Sequence, residues 1–288
     1  MNIEGYSQWV TLAAKFTVQS LQAWRWAANS LHYLLSLWDR MISSIPYVKS
    51  EKPHDLKLYS PMITEAYIQS RVAGVEVILR EGLEDPLDNI EALEVQMKQI
   101  SVIARCEFDK TCAYLVQKFD PTLAAFVHLL QQGSLDAAGQ AQYRLLDGQL
   151  TWLMFIIGAV IGTRTQISPS ESYDTYDAEL ICRALRLMKI LDEKLARDGP
   201  SSEGLNVAVL NFLQHFRLSF IGDTVPRHGK LYTRLAETIG IDDEGRVLDV
   251  LIEKITTNLR FWSASDIIIS KTLKLLSDLC LGYSSLRK

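Results

Sequence analysis

The amino-acid sequence predicts an all-α fold, an α-solenoid of HEAT-like antiparallel helix pairs with an armadillo-type superhelix. Apolar residues recur over long stretches with the spacing of one helix face, and no comparably long stretch alternates with the period of two that marks a strand. Turn-forming residues separate these stretches at fairly regular intervals. Only 15 glycines and 8 prolines occur in the 288 residues, which disfavours a turn-rich all-β fold.

The first apolar stripe lies close to the start of the sequence. It follows the i, i+3, i+4, i+7 pattern of one helix face and comprises Leu31, Leu34, Leu35, Trp38, Ile42 and Ile45. Pro46 predicts the end of this helix, because proline has no N–H group to continue the hydrogen-bond ladder.

Further helices are predicted by a start signal and by three more stripes. Asp120 and Pro121 predict a helix start, with the aspartate as N-cap and the proline at the first helical position. The stripes are Ala184, Leu187, Met188, Leu191 and Leu195; Leu205, Val209, Phe212, Leu213 and Phe216; and Leu248, Leu251, Ile252, Ile255 and Leu259. Val247 and Val250 lie beside the last stripe, so this helix is apolar on more than one side. That pattern suits stacked helix pairs, in which each helix contacts both its partner and the next repeat.

Loops are predicted wherever Gly, Pro, Ser, Asp and Asn cluster. They fall near residues 45–54, 82–88, 131–140, 164–174, 197–204, 222–229 and 240–245. About a dozen helices between these loops would give roughly 48 residues per helix pair, near the repeat of about 40–47 residues in HEAT and armadillo proteins. No linker divides the chain, so residues 1–288 are predicted to form a single HEAT-like segment of a longer solenoid. A closed α-helical bundle is the alternative architecture.

One stretch is apolar enough to suggest a membrane helix, residues 150–162 (LTWLMFIIGAVIG). It is shorter than the roughly 20 apolar residues that span a bilayer, so a buried core helix without membrane insertion is predicted. Within it, Gly158 and Gly162 have the GxxxG spacing. In a soluble helix this spacing predicts close packing against a neighbouring helix.

Sequence motifs of common catalytic and cofactor sites are absent. The chain contains no GxGxxG, GxxxxGK[ST], HExxH or GxSxG motif, so neither an enzyme nor a cofactor is predicted. The scattered cysteines indicate reduced core thiols and no metal site. They are Cys106, Cys112, Cys182 and Cys280. His215 lies beside an apolar stripe, which indicates a structural histidine, and the net charge of −4 lacks the basic excess that direct nucleic-acid binding requires.

Two acidic groups stand beside predicted loops. Residues 242–244 (DDE) immediately precede a predicted helix, where acidic side chains complement the helix dipole. The second group consists of Glu171, Asp174, Asp177 and Glu179, with tyrosines interleaved. This second group is a candidate partner-binding acidic loop. The alternative is a solvated loop whose aspartates cap the following helix.

A series of short sequence motifs, taken in their order along the chain, indicates a family resemblance. They are GYSQW at 5–9, SLQAW at 20–24, YLLSLWDRM at 33–41, IPYVK at 45–49, DPLDN at 85–89, RCEF at 105–108, WLMFIIG at 152–158, DAEL at 177–180, FRLSFIGD at 216–223, KITTNL at 254–259 and GY at 282–283. Together they resemble the exportin-7 family of the importin-β (karyopherin) superfamily, over nearly the whole chain and corresponding to its central segment.

The resemblance implies stacked HEAT repeats and Ran-dependent nuclear export of protein cargo. It also implies nuclear pore proteins as partners and shuttling between nucleus and cytoplasm. The N-terminal repeats, where the superfamily makes its main Ran contact, are not represented in the matching segment. Karyopherins use acidic surfaces against basic faces of Ran or cargo, which supports the acidic group at 171–179 as a candidate contact. The alternative function is a non-transport helical scaffold or protein-interaction module.

Overall fold

The computed structural model describes residues 4–45, 55–132, 135–163, 171–221 and 229–282. These ranges contain eleven α-helices and a 3-10 turn at Pro86–Asp88, with no β-strand among them. The helices are α1 (Tyr6–Gln22), α2 (Ala28–Ser43), α3 (Asp55–Glu81), α4 (Ile90–Arg105), α5 (Phe108–Gln131), α6 (Ala137–Gly162), α7 (Glu171–Asp198), α8 (Glu203–Phe220), α9 (Gly229–Ile239), α10 (Glu244–Phe261) and α11 (Asp266–Gly282). The predicted all-α helical-repeat class is confirmed.

The chain divides into two compact units, Met1–Gln117 and Lys118–Lys288, and the division falls within α5. In the first unit, α1 packs against α3 and α2 packs against α4, while α1 also contacts α2 and α3 contacts α4. Each helix therefore meets both its sequence neighbour and the next helix but one, which is the packing of stacked helix pairs. The indole N–H of the buried Trp38 donates to Thr17 Oγ1 at 2.9 Å and ties α2 to α1.

The second unit repeats this packing and then modifies it. Helix α6 packs against α8 and α7 against α9, as in the first unit, but α10 also contacts α7, and α11 packs on both α8 and α10. Arg234 of α9 pairs with Glu179, early in α7, and Lys254 of α10 pairs with Asp192, near the C-terminal end of α7. Helices α9 and α10 therefore lie end to end along α7 and take the place of one long helix.

The break between α9 and α10 has a local cause. Gly240 has a φ of 73°, in the left-handed region that favours glycine after the last turn of a helix. Three residues later, the carboxylate of Asp243 accepts a hydrogen bond from the backbone N–H of Arg246 at 2.8 Å and caps α10. A helix stop and a helix start three residues apart interrupt the helix without a long loop.

The buried centre of the second unit is α6. Every residue from 150 to 161 is buried, as the sequence predicts for a core helix. Among the described residues, α6 is the one helix long and apolar enough to cross a membrane, and 72% of its most apolar stretch is buried within the structure. Its two closely spaced glycines face α8. A Cβ atom at Gly158 would lie 3.0 Å from Phe212 Cα, and one at Gly162 would lie 2.3 Å from His215 Nδ1, which confirms the predicted close packing.

Two sequence predictions about the helices are wrong. Helix α5 does not begin at Pro121 but runs through it, since it spans Phe108–Gln131. In α10, two members of the predicted stripe are exposed, Ile252 by 48% and Leu259 by 41%. The buried face instead comprises Val247, Leu251, Lys254, Ile255 and Asn258. Lys254 and Asn258 belong to the buried face because each has a hydrogen-bonding partner on a neighbouring helix. The buried face is therefore rotated about the helix axis relative to the predicted apolar stripe.

We expect Gly158→Ala to destabilise the fold even though alanine favours helices. The added methyl group meets the backbone of Phe212, which cannot move aside as a flexible side chain can. Overpacking of this kind costs about 1–3 kcal/mol, which over most of that range exceeds the gain of about 1 kcal/mol in helix propensity. Urea unfolding followed by far-UV circular dichroism measures the difference.

Gly204, early in α8, provides the matched control. A Cβ atom there meets nothing within 4 Å, and its φ lies outside the left-handed region. Gly204→Ala should therefore stabilise the protein by about 0.4–1 kcal/mol, because alanine reduces the freedom of the unfolded chain. Equal effects of the two substitutions would contradict the close approach of α6 and α8.

Candidate functional site

The four acidic residues singled out in the sequence lie on a helix and not in a loop. Helix α7 begins at Glu171, so the predicted loop at 164–174 ends earlier than expected. Asp174 and Asp177 are buried, with 5% and 0% exposure, and Glu179 is half-buried. The side chain of Glu171 lies outside the described part of the chain. The structure therefore does not gather these carboxylates on one exposed surface, and their role in partner binding stays a prediction.

Glu179 belongs to a line of ion pairs across the second unit. Its carboxylate accepts hydrogen bonds from Arg183 Nη1 at 2.6 Å and from Arg234 Nη2 at 2.7 Å. Arg183 also binds both carboxylate oxygens of Asp120, at 2.8 and 2.9 Å, and Arg234 pairs with Glu237 at 3.2 Å. The line joins α5, α7 and α9, so its charges already have partners within the chain.

The pKa values along this line follow from the pairing. The hydrogen bond from Arg234, aided by Arg183, lowers the pKa of Glu179 below its usual range. The Asp120 carboxylate raises the pKa of Arg183. Glu179 therefore stays ionised at any ordinary pH, and an incoming basic partner would have to compete with two arginines of this chain.

A second cluster, which the sequence analysis did not single out, forms a cleft of about 700 Å³ in the second unit. We call it the basic cleft. It lies between the C-terminal end of α5, the first half of α6, the C-terminal end of α7 and the segment at 199–202. Its lining residues are Leu129, Leu130, Gln131, Leu135, Gln140, Tyr143, Arg144, Lys194, Arg197, Asp198 and Ser201.

Lys194 lies at the centre of the polar contacts in the basic cleft. Its side chain is only 12% exposed, and its ammonium group donates to Ser201 Oγ at 2.8 Å. The same nitrogen lies 3.7 Å from Asp198 Oδ2 and 5.7 Å from the centre of the Tyr143 ring. These contacts hold the cation in place at the junction of α6, α7 and the segment that follows α7.

The turn that follows α7 depends on Gly199. Its φ of 79° lies in the left-handed region, and its N–H donates to the carbonyl of Leu195 at 3.0 Å, which ends the helix. Two consecutive serines follow, and their hydroxyl groups bind different partners. Ser201 contacts Lys194, while the hydroxyl of the buried Ser202 donates to Asp147 Oδ1.

Asp147 lies one helical turn beyond Tyr143 on α6, next to this arrangement. Burial raises the pKa of its carboxyl group to about 6, and the hydrogen bond from Ser202 and the charge of Lys194 only partly oppose that shift. A carboxyl group with such a pKa changes its charge just below neutral pH.

We expect Asp147 to make the protein less stable as pH rises from about 4 to about 6. The folded protein holds this proton more tightly than the unfolded chain, so its stabilising contribution is present below the unfolded pKa and lost above the folded one. A shift from 3.8 to about 6 corresponds to up to about 3 kcal/mol. Asp147→Asn keeps an acceptor for Ser202 but cannot ionise. Urea unfolding of both proteins at several pH values should show their stabilities diverging over this window, and parallel curves would contradict a buried carboxyl group at position 147.

The sequence does not predict the basic cleft, because its cations lie far apart along the chain. Arg144 lies on α6, while Lys194 and Arg197 lie about fifty residues later on α7. The chain as a whole carries 34 acidic against 30 basic residues, so its composition gives no sign of a local positive excess. No group of three or more His, Cys, Asp or Glu side chains arranged to hold a metal ion occurs in the five described ranges.

Most of the chain matches a known protein family. The family described as "Exportin-7-like, TPR domain" matches residues 74–288. That range includes the whole second unit and part of the first. No solved structure matches the chain.

Curated relatives match almost the entire chain. Exportin-7-B of Xenopus laevis is 48% identical over 288 residues, which are 100% of this chain and 26% of that protein. Ran-binding protein 16 of Drosophila melanogaster is 44% identical over 283 residues, 98% of this chain and 25% of that protein. Ran-binding protein 17 of Homo sapiens is 40% identical over 286 residues, 99% of this chain and 26% of that protein. The chain therefore spans about a quarter of the length of these relatives.

Proposed function

Because the chain belongs to the exportin-7 family, we propose that it serves as part of a nuclear export receptor that binds protein cargo and the GTPase Ran. Similarity at 48% identity over the whole chain to a protein named exportin-7-B carries this proposal. The names of two further relatives, Ran-binding proteins 16 and 17, support Ran as a partner. Membership of the family also confirms the resemblance that the short sequence motifs indicate.

The stacked helix pairs suit a binding role better than a catalytic one. Helical repeats present long surfaces whose side chains are held by the packing of neighbouring helices, and such surfaces bind macromolecules. In this proposal residues 1–288 act as one helical-repeat segment of the receptor. The receptor moves between nucleus and cytoplasm and contacts nuclear pore proteins on the way.

The acidic residues on α7 remain the proposed contact for a basic partner. Asp174 and Asp177 lie in the first two turns of the helix, next to the half-buried Glu179. Binding at this position requires a basic group to approach the start of α7 and to share Glu179 with Arg183 and Arg234.

A chimera tests the proposed function in the context of a full receptor. In Xenopus laevis exportin-7-B, the matching segment is replaced by this chain, and binding to immobilised Ran loaded with GTP or GDP is measured. We expect the chimera to bind the GTP form in preference to the GDP form, as the unmodified receptor should in the parallel experiment. A folded chimera that fails to distinguish the two forms, while the unmodified receptor does so, would refute the proposal.

A further inference from the structure

We propose that the basic cleft binds an acidic peptide segment of a partner protein, one that carries a large apolar side chain beside its carboxylates. The cations Arg144, Lys194 and Arg197 would receive the carboxylates. A wall of three leucines would receive the apolar side chain. This inference rests on the geometry of the cleft and is independent of the proposed role in nuclear export.

Charge supports an anionic occupant. Three cations and one carboxylate, Asp198, line the cleft, which leaves an excess of two positive charges in a chain whose net charge is −4. Arg197 is bound to Asp198 through Nε and Nη2, at 2.8 and 3.0 Å, and lowers the pKa of that carboxyl group. Asp198 is therefore shared between Arg197 and Lys194, whose ammonium group lies 3.7 Å from its Oδ2, and Arg144 is the lining cation that has no carboxylate partner among the described residues.

Arg144 is available to a partner. Its side chain is exposed, and it forms no ion pair or hydrogen bond with any residue that the structure describes. Lys194 is different, because it is already held by Ser201, the Asp198 carboxylate and the Tyr143 ring. A cation fixed in this way loses little freedom on binding, so it can orient a carboxylate that the exposed Arg144 attracts.

The apolar wall distinguishes a peptide from a simpler anion. Leu129, Leu130 and Leu135 line the side of the cleft contributed by the end of α5 and the residues just before α6. Inorganic phosphate would contact the cations and leave this wall unused. Nucleic acid requires a basic surface that follows several phosphates, whereas the positive excess here is confined to one cleft. A volume of about 700 Å³ lies within the range of about 300–1,000 Å³ typical of ligand sites, enough for a few side chains.

Fluorescence anisotropy with the full 288-residue chain tests the proposal. The probe is a fluorescein-labelled peptide, Glu-Asp-Leu-Glu-Asp-Phe. Two further peptides replace either its apolar residues by serine or its acidic residues by glutamine. We expect saturable binding of the first peptide, weakened about tenfold or more by either replacement, and a fall in affinity when salt rises from about 50 to about 300 mM.

A pair of charge reversals locates the binding site. Arg144→Glu changes an exposed and unpaired cleft residue, so folding should be unaffected. Arg186→Glu makes the same change in charge at an exposed position of α7 that does not line the cleft. Arg144→Glu should weaken the peptide about tenfold or more, while Arg186→Glu should have less than a twofold effect at physiological salt.

Three results would overturn the proposal, provided that circular dichroism shows both variants to be folded. The first is no saturable binding of the acidic peptide, including the case in which inorganic phosphate or a short RNA binds instead. The second is an equal loss of affinity in the two variants, which would indicate non-specific charge attraction. The third is equal binding of the serine-substituted peptide, which would show that the leucine wall is not used. None of these measurements involves Ran, so failure here is distinguishable from failure of the export proposal.

Discussion

Ile156→Asp is expected to destabilise the protein by about 4 kcal/mol or more, the largest effect among the substitutions considered. Ile156 is fully buried in α6, within the run of buried residues from 150 to 161. Loss of a buried isoleucine alone costs about 2–5 kcal/mol, and an aspartate at the same place either buries an unpaired charge or takes up a proton. Urea unfolding monitored by tryptophan fluorescence and circular dichroism should show a much lower midpoint or a chain that is unfolded without urea.

Ile252→Asp is the matched control for this prediction. Ile252 lies on α10 and is 48% exposed, so the same chemical change there should cost about 1 kcal/mol or less. If Ile156→Asp were soluble and as stable as the unmodified protein, the segment at 150–162 would have to be accessible to solvent. That result would contradict α6 as the buried centre of the second unit.

Asp192→Asn is expected to produce the second largest loss, about 3–5 kcal/mol, because it removes the anionic partner of a buried lysine. The Lys254 side chain is 0% exposed, and its ammonium group contacts Asp192 Oδ1 at 2.5 Å and Asn206 Oδ1 at 3.2 Å. Burial already lowers the pKa of Lys254, against the opposing effect of Asp192. Without the aspartate this pKa should fall further.

The pH dependence of this loss gives a sharper test than its size. In Asp192→Asn, folding requires Lys254 either to stay charged without its anionic partner or to lose its proton. The unfolded chain then binds more protons than the folded one, so the stability of the variant should rise with pH and its deficit should shrink. The measurement is urea unfolding of both proteins between pH 6 and pH 9.

Two further variants compare the buried ion pair with an exposed one. The double variant Asp192→Asn with Lys254→Met should be more stable than Asp192→Asn alone, because no buried charge remains unpaired. Asp242→Asn removes the partner of Arg246, a pair whose side chains are 60% and 63% exposed, and should have an effect below about 1 kcal/mol. A double variant no more stable than the single one would show that Lys254 does not need its carboxylate.

The accuracy of the sequence predictions depends on how local their physical cause is. The stripe Leu205, Val209, Phe212 on α8 is buried as predicted, because the helix period alone places these residues on one face. The GxxxG spacing likewise indicates close packing, since two glycines one turn apart leave a flat surface on α6. In both cases the pattern lies within one helix.

Predictions that depend on a second helix were less reliable. Asp120 and Pro121 match a helix start, yet α5 continues through them, and the Asp120 carboxylate binds Arg183 of α7 instead of capping a helix. On α10, Lys254 and Asn258 are buried because α7, α8 and α11 supply Asp192, Asn206 and Thr272 as partners. Sequence patterns treat such polar residues as surface positions, since they contain no record of a partner many residues away.

By itself, the sequence determined that this protein is an all-α helical repeat, and its order of short motifs indicated the exportin-7 family. These properties follow from helical periodicity and from residues read one after another. The tertiary structure alone decided that Asp174 and Asp177 are buried, that Glu179 pairs with Arg183 and Arg234, and that cations from α6 and α7 meet in one cleft. The physical reason is that burial and electrostatic pairing depend on distances between side chains of different helices, which only the packing of those helices sets.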